Sequence, residues 1–288
     1  MRFLPIGLLA WLLTGCLKNT DIVDPNRLIA DRTSSLYVVC FIAPQDTMLS
    51  ARVALSEPAI STVPSPSLLV KTATVTISDD QQRITLPYDS TVGYYRARPA
   101  GKLSIRAGQT YRLTVVLDEN RRISAQATVP FGIPIERFQI DSVRAPDQSL
   151  RYTTTIFWNS PGGITYYRGY GLVSQMIGDT SRQETRISQP SFFVDRENSS
   201  GPNSRSLTGS HTVVVPANTR VRTRRVRVGL FTTDQNYYRY HSTLRDQINS
   251  PTLSFPESTV LFSDIDGGYG VFAAYNASYI DMAYPMKE

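Results

Sequence analysis

Histidine and cysteine are scarce in this chain, with two of each among 288 residues. His211 opens an expected strand and His241 lies on an expected helix, so neither stands where a serine nucleophile would find its base. The Gly-x-Ser-x-Gly elbow is missing as well. Paired carboxylates for glycoside hydrolysis are a spatial feature, and no particular pair stands out in the sequence. Asp264-Ile265-Asp266-Gly267-Gly268 has the look of a calcium loop but lacks its further acidic ligands and closing glutamate, which leaves a glycine-rich hairpin ahead of a strand. The expectation is no catalytic group, no metal and no cofactor. Cys40 sits in the apolar run Leu36-Tyr37-Val38-Val39-Cys40-Phe41-Ile42 with nothing basic beside it, and reads as a core thiol rather than a nucleophile. After the N-terminal stretch there is no second long apolar run, which excludes a later transmembrane helix.

What the chain does have, at its start, is an export signal. Met1 and Arg2 are followed by an apolar stretch to Leu13, then by Leu13-Thr14-Gly15-Cys16. As a helix the stretch would cover about 16 Å against roughly 30 Å of hydrocarbon, too short to anchor the chain by itself. Leu-Thr-Gly-Cys resembles the lipobox of bacterial lipoproteins, which implies cleavage before Cys16, acylation of that cysteine and attachment to a lipid bilayer. A lipidated Cys16 would leave Cys40 without a disulfide partner. Residues 1–15 are thus expected to be the signal and 16–34, polar with Asp21, Asp24 and Asp31, a tether.

The net charge of +6 is carried mainly by arginine, with one cluster at Arg220, Arg222, Arg224, Arg225 and Arg227. The arginines switch from even to odd positions at Arg224, a phase slip that predicts a β-bulge or a strand starting near Arg225. Two readings stay open: a solvated strand face, or a patch for lipopolysaccharide phosphates or an acidic partner. Nucleic acid does not suit an exported, lipidated chain.

From residue 36 to 129 the apolar residues alternate, as in Ala73-Thr74-Val75-Thr76-Ile77 and Tyr111-Arg112-Leu113-Thr114-Val115, with turns at Ser78-Asp79-Asp80, Pro99-Ala100-Gly101 and Asp118-Glu119-Asn120. About seven such strands predict an immunoglobulin-like β-sandwich over 35–130, with Tyr111 as a tyrosine-corner residue. Residues 57–67 read as a loop. Pro130 and Pro134 mark a boundary to a second β-rich domain, 135–288. There, strands are expected at 137–143, 153–158, 166–173, 211–215 and 225–232, then around 260–262, 270–275 and 279–283. Residues 196–210 read as an exposed loop. One helix stands out: Asp234 can cap it, and Tyr237, Tyr240, Leu244 and Ile248 form one apolar stripe suited to packing on a sheet. The fold class is therefore all-β with one short helix near the C-terminus. The doublets Tyr94-Tyr95, Tyr166-Tyr167 and Tyr237-Tyr238 offer rings for core packing or, where displayed, for sugars or a protein partner.

The closing segment Leu261-Phe262-Ser263-Asp264-Ile265-Asp266-Gly267-Gly268-Tyr269-Gly270-Val271-Phe272-Ala273-Ala274-Tyr275 resembles the end motif of the domain-of-unknown-function family 4249. The lipobox, the stretch from Leu36 to Pro44, Ala73 through Asp79, Ala107-Gly108-Gln109-Thr110-Tyr111, Tyr166-Tyr167-Arg168 after Trp158 and the tyrosine-rich helix agree with it in order. Asp264 departs from the pattern, where asparagine is commoner. The resemblance implies an outer-membrane lipoprotein of two β domains, encoded beside TonB-dependent receptors, and carries no binding residues with it. The expected function is a non-catalytic accessory or binding partner of a TonB-dependent transporter or its cargo. It would face outward from the outer membrane, with the periplasmic face as the alternative. An envelope hydrolase, or an adhesive or structural surface protein, is the alternative function.

Overall fold

In β1 (Leu36–Ile42) the residues Leu36, Val38, Cys40 and Ile42 are buried in one core, while Val39 and Phe41 pack in another. The run is continuously apolar because both of its faces are covered. Cys40 is fully buried, and burial pushes its thiol pKa well up, as suits a core residue. The structure, a computed structural model, describes residues 35–56, 68–144, 150–177, 181–186, 194–213, 221–249 and 260–283. Cys16, the signal, the tether, the expected loop at 57–67 and Arg220 lie outside the described residues.

The first unit continues with β2 (Leu49–Leu55), β3 (Thr74–Ser78), β4 (Arg83–Leu86), β5 (Tyr88–Asp89), β6 (Tyr94–Ala97), β7 (Thr110–Val116) and β8 (Arg122–Thr128). Strands β1, β2, β6 and β5 lie side by side in one sheet and β4, β3, β7 and β8 in another. Their inward residues, among them Leu49, Val75, Ile77, Leu86, Leu113 and Ile123, make the core of a two-sheet sandwich. Tyr111 ties its corner: the hydroxyl donates to the Ser104 carbonyl at 2.6 Å and accepts from the Arg106 amide at 2.8 Å.

The second unit comprises β9 (Arg137–Arg144), β10 (Leu150–Ser160), β11 (Gly163–Ile177), β12 (Ser181–Arg186), β13 (Val194–Ser199), β14 (Asn203–Val213), β15 (Val221–Thr233), helix α1 (Gln235–Asn249) and β16 (Tyr269–Ala283). β14, β10 and β9 form one sheet; β12, β11, β15 and β16, with β13 also on β11, continue into β1, β2, β6 and β5 as a single nine-stranded sheet. Ile156, Trp158, Tyr167, Val226, Val228 and Leu230 fill the space between them. Val129 packs in the first core and Ile133 and Ile135 in the second, so the prolines at 130 and 134 lie on the passage.

Three expectations are corrected. Residues 196–210 are not a loop: they lie largely in β13 and β14, which pair with β11 and β10. Their backbone groups are satisfied by the ladder, so no apolar side-chain pattern is needed. The irregularity in β15 falls at Arg222, skipped between Val221 and Thr223, rather than at Arg225, which stays in continuous register opposite Ser174. The separate strands around 270–275 and 279–283 are one strand, β16, and 260–262 is not a strand.

β16 belongs to both units. Tyr269–Ala274 pair parallel with Tyr37–Ile42 of β1, and Tyr275–Ala283 pair antiparallel with β15. The sequence division at 135 assigns this strand wholly to the second unit; Phe272 and Ala274 nevertheless lie in the first core. Close approach demands glycine at its start: a Cβ on Gly270, at φ +118°, would stand 1.8 Å from the Val38 carbonyl oxygen. Helix α1 covers the outer face of this junction, with Tyr237, Tyr240 and Leu244 against Val39, Phe41, Val271 and Ala273. Asp234 caps it as expected, one carboxylate oxygen accepting from the Tyr237 amide and the other from Ala274 of β16, both at 2.8 Å.

Candidate functional site

The outward face of the second sheet follows from strand register. Because Val226, Val228 and Leu230 point into the core, Arg225, Arg227, Gly229 and Phe231 point away from it. Pairing sets Leu172, Arg227 and Asp281 in one cross-strand row, and Tyr170, Gly229 and Tyr279 in the next. Arg168, Phe231 and Ala277 follow, then Tyr166, Thr233 and Tyr275. Helix α1 meets these rows at Tyr166, Arg168 and Tyr275, and the rows of Tyr279 and Asp281 lie farther along the strands.

The rings form a connected set. Tyr170 and Phe231 stack at 5.8 Å with 13° between planes, and Phe231 stacks on Tyr275 at 5.0 Å. Tyr279 is set across them, at 89° to Tyr170 and 78° to Phe231. Its ring lies over Gly229, where a Cβ would meet two ring carbons at 2.9 Å; Tyr279 as a residue remains 45% exposed. In the neighbouring row Asp281 accepts from Arg227 Nη2 at 2.7 Å and Nε at 3.2 Å, and from Arg225 Nε at 3.3 Å. The Arg227 hydrogen bond holds the Asp281 pKa below the usual carboxylate range.

Towards the first unit the set passes beneath α1. Tyr275 stands 5.8 Å from Tyr237, and His241 stacks on Phe41. Arg168 Nη1 donates to the Tyr237 hydroxyl and lies 3.3 Å from His241 Nε2. Since a guanidinium only donates, Nε2 is the acceptor and Nδ1 carries the proton. Burial, then Arg168, lowers the His241 pKa to about 3, so the imidazole is neutral and serves packing. Tyr275 donates to Asp46 at 3.3 Å; burial raises that carboxyl pKa to about 6. Gln45 holds the strand beside it through Asn276 at 2.7 Å and the Ala277 amide at 3.2 Å.

Asp46 also borders a cleft of about 680 Å³ at the end of the first sandwich, with Met48, Gln82, Arg98, Lys102 and Ile105. Its lining offers one carboxylate, whereas glycoside hydrolysis uses two.

The calcium-like loop works as a brace. Asp264 accepts from the Phe272 amide at 3.1 Å and from Asn236 at 2.9 Å, Ser263 accepts from Gly270, and Asp266 forms a backbone bridge to Ser124 of β8. Of the tyrosine doublets, Tyr95 and Tyr167 are buried, while Tyr94 is exposed and Tyr166 packs on Tyr238 at the surface of α1. His211 lies in β14, opposite Tyr152. Of the arginine cluster, Arg225 and Arg227 reach the site; Arg222 and Arg224 are placed only by their backbone in β15. Tyr170, Phe231, Tyr279 and Asp281 were not singled out from sequence. The signals were there: Tyr166 and Tyr170, like Tyr275 and Tyr279, are four apart and so share a strand face.

Residues 23–280 match the family described as Domain of unknown function (DUF4249). The chain belongs to that family. No curated protein matches it. Among solved structures, CfaE, the adhesive subunit of the CFA/I fimbria of enterotoxigenic Escherichia coli, aligns over 85% of this DUF4249 chain and 87% of its own. The identity is 8% and the TM-score 0.22, too low to carry any argument. No helix among the described residues is long and apolar enough to cross a membrane.

Proposed function

We propose that this DUF4249 protein is a non-catalytic accessory lipoprotein of the outer membrane, held by acylated Cys16, that binds a TonB-dependent transporter, its cargo or both. The observation that carries the reading is the aromatic and arginine face of β11, β15 and β16, whose Tyr279 and Asp281 rows lie beyond the contacts of α1. Aromatic rings and arginine are the groups that dominate recognition surfaces. Around this face Asp234 is spent on a helix cap and His241, neutral, on Arg168, while Asp281 is paired with two arginines. Lipid on Cys16 would confine the protein to the membrane surface, where a high effective concentration makes weak contacts sufficient.

The test is affinity purification of the full chain from membranes in mild detergent, beside a Cys16→Ala variant. The expected outcome is a stoichiometric outer-membrane barrel with the wild type, and release or failed processing of the variant. Recovery of the protein alone, together with turnover of a glycan or peptide panel, would overturn the reading in favour of an envelope hydrolase.

A further inference from the structure

The geometry at Tyr279 points to a ligand class. We infer that Tyr279, with Arg225, Arg227 and Asp281 beside it, is a stacking platform for an anionic polysaccharide, one carrying carboxylate or sulfate groups. The inference rests on the accessory reading for its biological use, since it names the cargo, but the site itself is argued from its own geometry.

The Tyr279 ring crosses the planes of Tyr170 and Phe231 nearly at right angles and packs over Gly229, and the residue is still 45% exposed. Only glycine at 229 permits this, because any Cβ would occupy the ring's place. The exposed part of the Tyr279 ring offers a flat π surface, matched to the C–H face of a pyranose.

A stacked sugar also needs donors and acceptors at its rim. The next outward row lies about 7 Å along the strands, and there Asp281 and Arg227 supply both, locked together by the hydrogen bonds at 2.7 and 3.2 Å. Their fixed geometry lowers the entropy cost of engaging hydroxyls. Charge selects the class of sugar. Two guanidiniums share one carboxylate, and Arg225 remains 67% exposed at its side chain, so the patch keeps a positive excess that an acidic sugar complements.

The test is native electrophoresis of the full chain in mild detergent through gels containing polygalacturonate, alginate or chondroitin sulfate. Dextran serves as the neutral control and polyglutamate as the charge control. At least one acidic polysaccharide is expected to retard the wild type, with dextran and polyglutamate far weaker. Tyr279→Ala should weaken that retardation by about tenfold, the scale of one lost aromatic contact. Tyr279→Phe, which keeps the ring and its cover over Gly229, should restore it. Arg225→Gln, at an exposed position, should weaken binding without altering the melting curve. Retardation by none of the acidic glycans, equal retardation by polyglutamate or dextran, or undiminished binding by a folded Tyr279→Ala would each overturn the inference. If the glycan signal fails while a barrel still co-purifies, the accessory reading stands without this cargo. If glycan binds and no barrel is recovered, the platform stands and the transporter partnership falls.

Discussion

Asp264 shows how one side chain can stabilise a junction and also make it sensitive to pH. Its two oxygens join β16 to the first turn of α1, through the Phe272 amide and the Asn236 side chain. Burial raises its pKa to about 6, against about 3.9 for an ordinary aspartate. The unfolded chain therefore gives up this proton first, and stability falls as pH rises from about 4 to about 6. Asp234, raised to about 7, and Asp46, raised to about 6, slope the same way. Asparagine at 264 would keep the acceptor for Phe272, and Asn236 could turn its amide to meet the new one. The expected outcome for Asp264→Asn is a higher urea midpoint than wild type at pH 8, with the advantage gone by pH 4. Equal midpoints at both pH values would contradict it. The carboxylate, where an amide would serve the same two contacts, adds the pH sensitivity.

At the scale of elements, β16 is the strand on which the others depend. A methyl group at Gly270 would run into the Val38 carbonyl and also strain a positive φ, so Gly270→Ala should cost roughly 3 kcal/mol or more. Gly101→Ala makes the comparison: φ is +73° there, but no atom lies within 4 Å, and the expected cost is about 1 kcal/mol. Chemical denaturation of the two variants would separate close approach from backbone strain. The sequence made β3, β7 and β8 readable because one face of each strand is buried and alternation survives. It hid the middle of β16, where Asn276 and Ser278 look like turn residues. In the structure they bond across the seam, Asn276 to Gln45 and the Pro130 carbonyl, Ser278 to the Ile135 amide. The site was half legible for a related reason. Doublets such as Tyr166-Tyr167 declare one inward and one outward ring, but Tyr170, Gly229 and Tyr279 meet only through the register of three strands, which no local pattern records.

Across the whole molecule, the fold is closed by residues far apart in the chain; Gln45 and Ala277, 232 positions apart, share a hydrogen bond. Such pairing carries a large loop-closure cost and makes for slow folding. It also gives the body a direction of mechanical strength. β1 leaves toward the N-terminal end, and β16 leaves in the opposite sense toward the aromatic face, while the two run parallel between Tyr37 and Ile42. Tension between the N-terminal end of β1 and the far end of β16 would pull the two strands lengthwise past each other, loading every rung of the ladder together rather than peeling them singly. In single-molecule pulling, force applied at residues 35 and 283 should meet one high rupture peak, and Gly270→Ala should lower it. The fold is built to bear load along this axis.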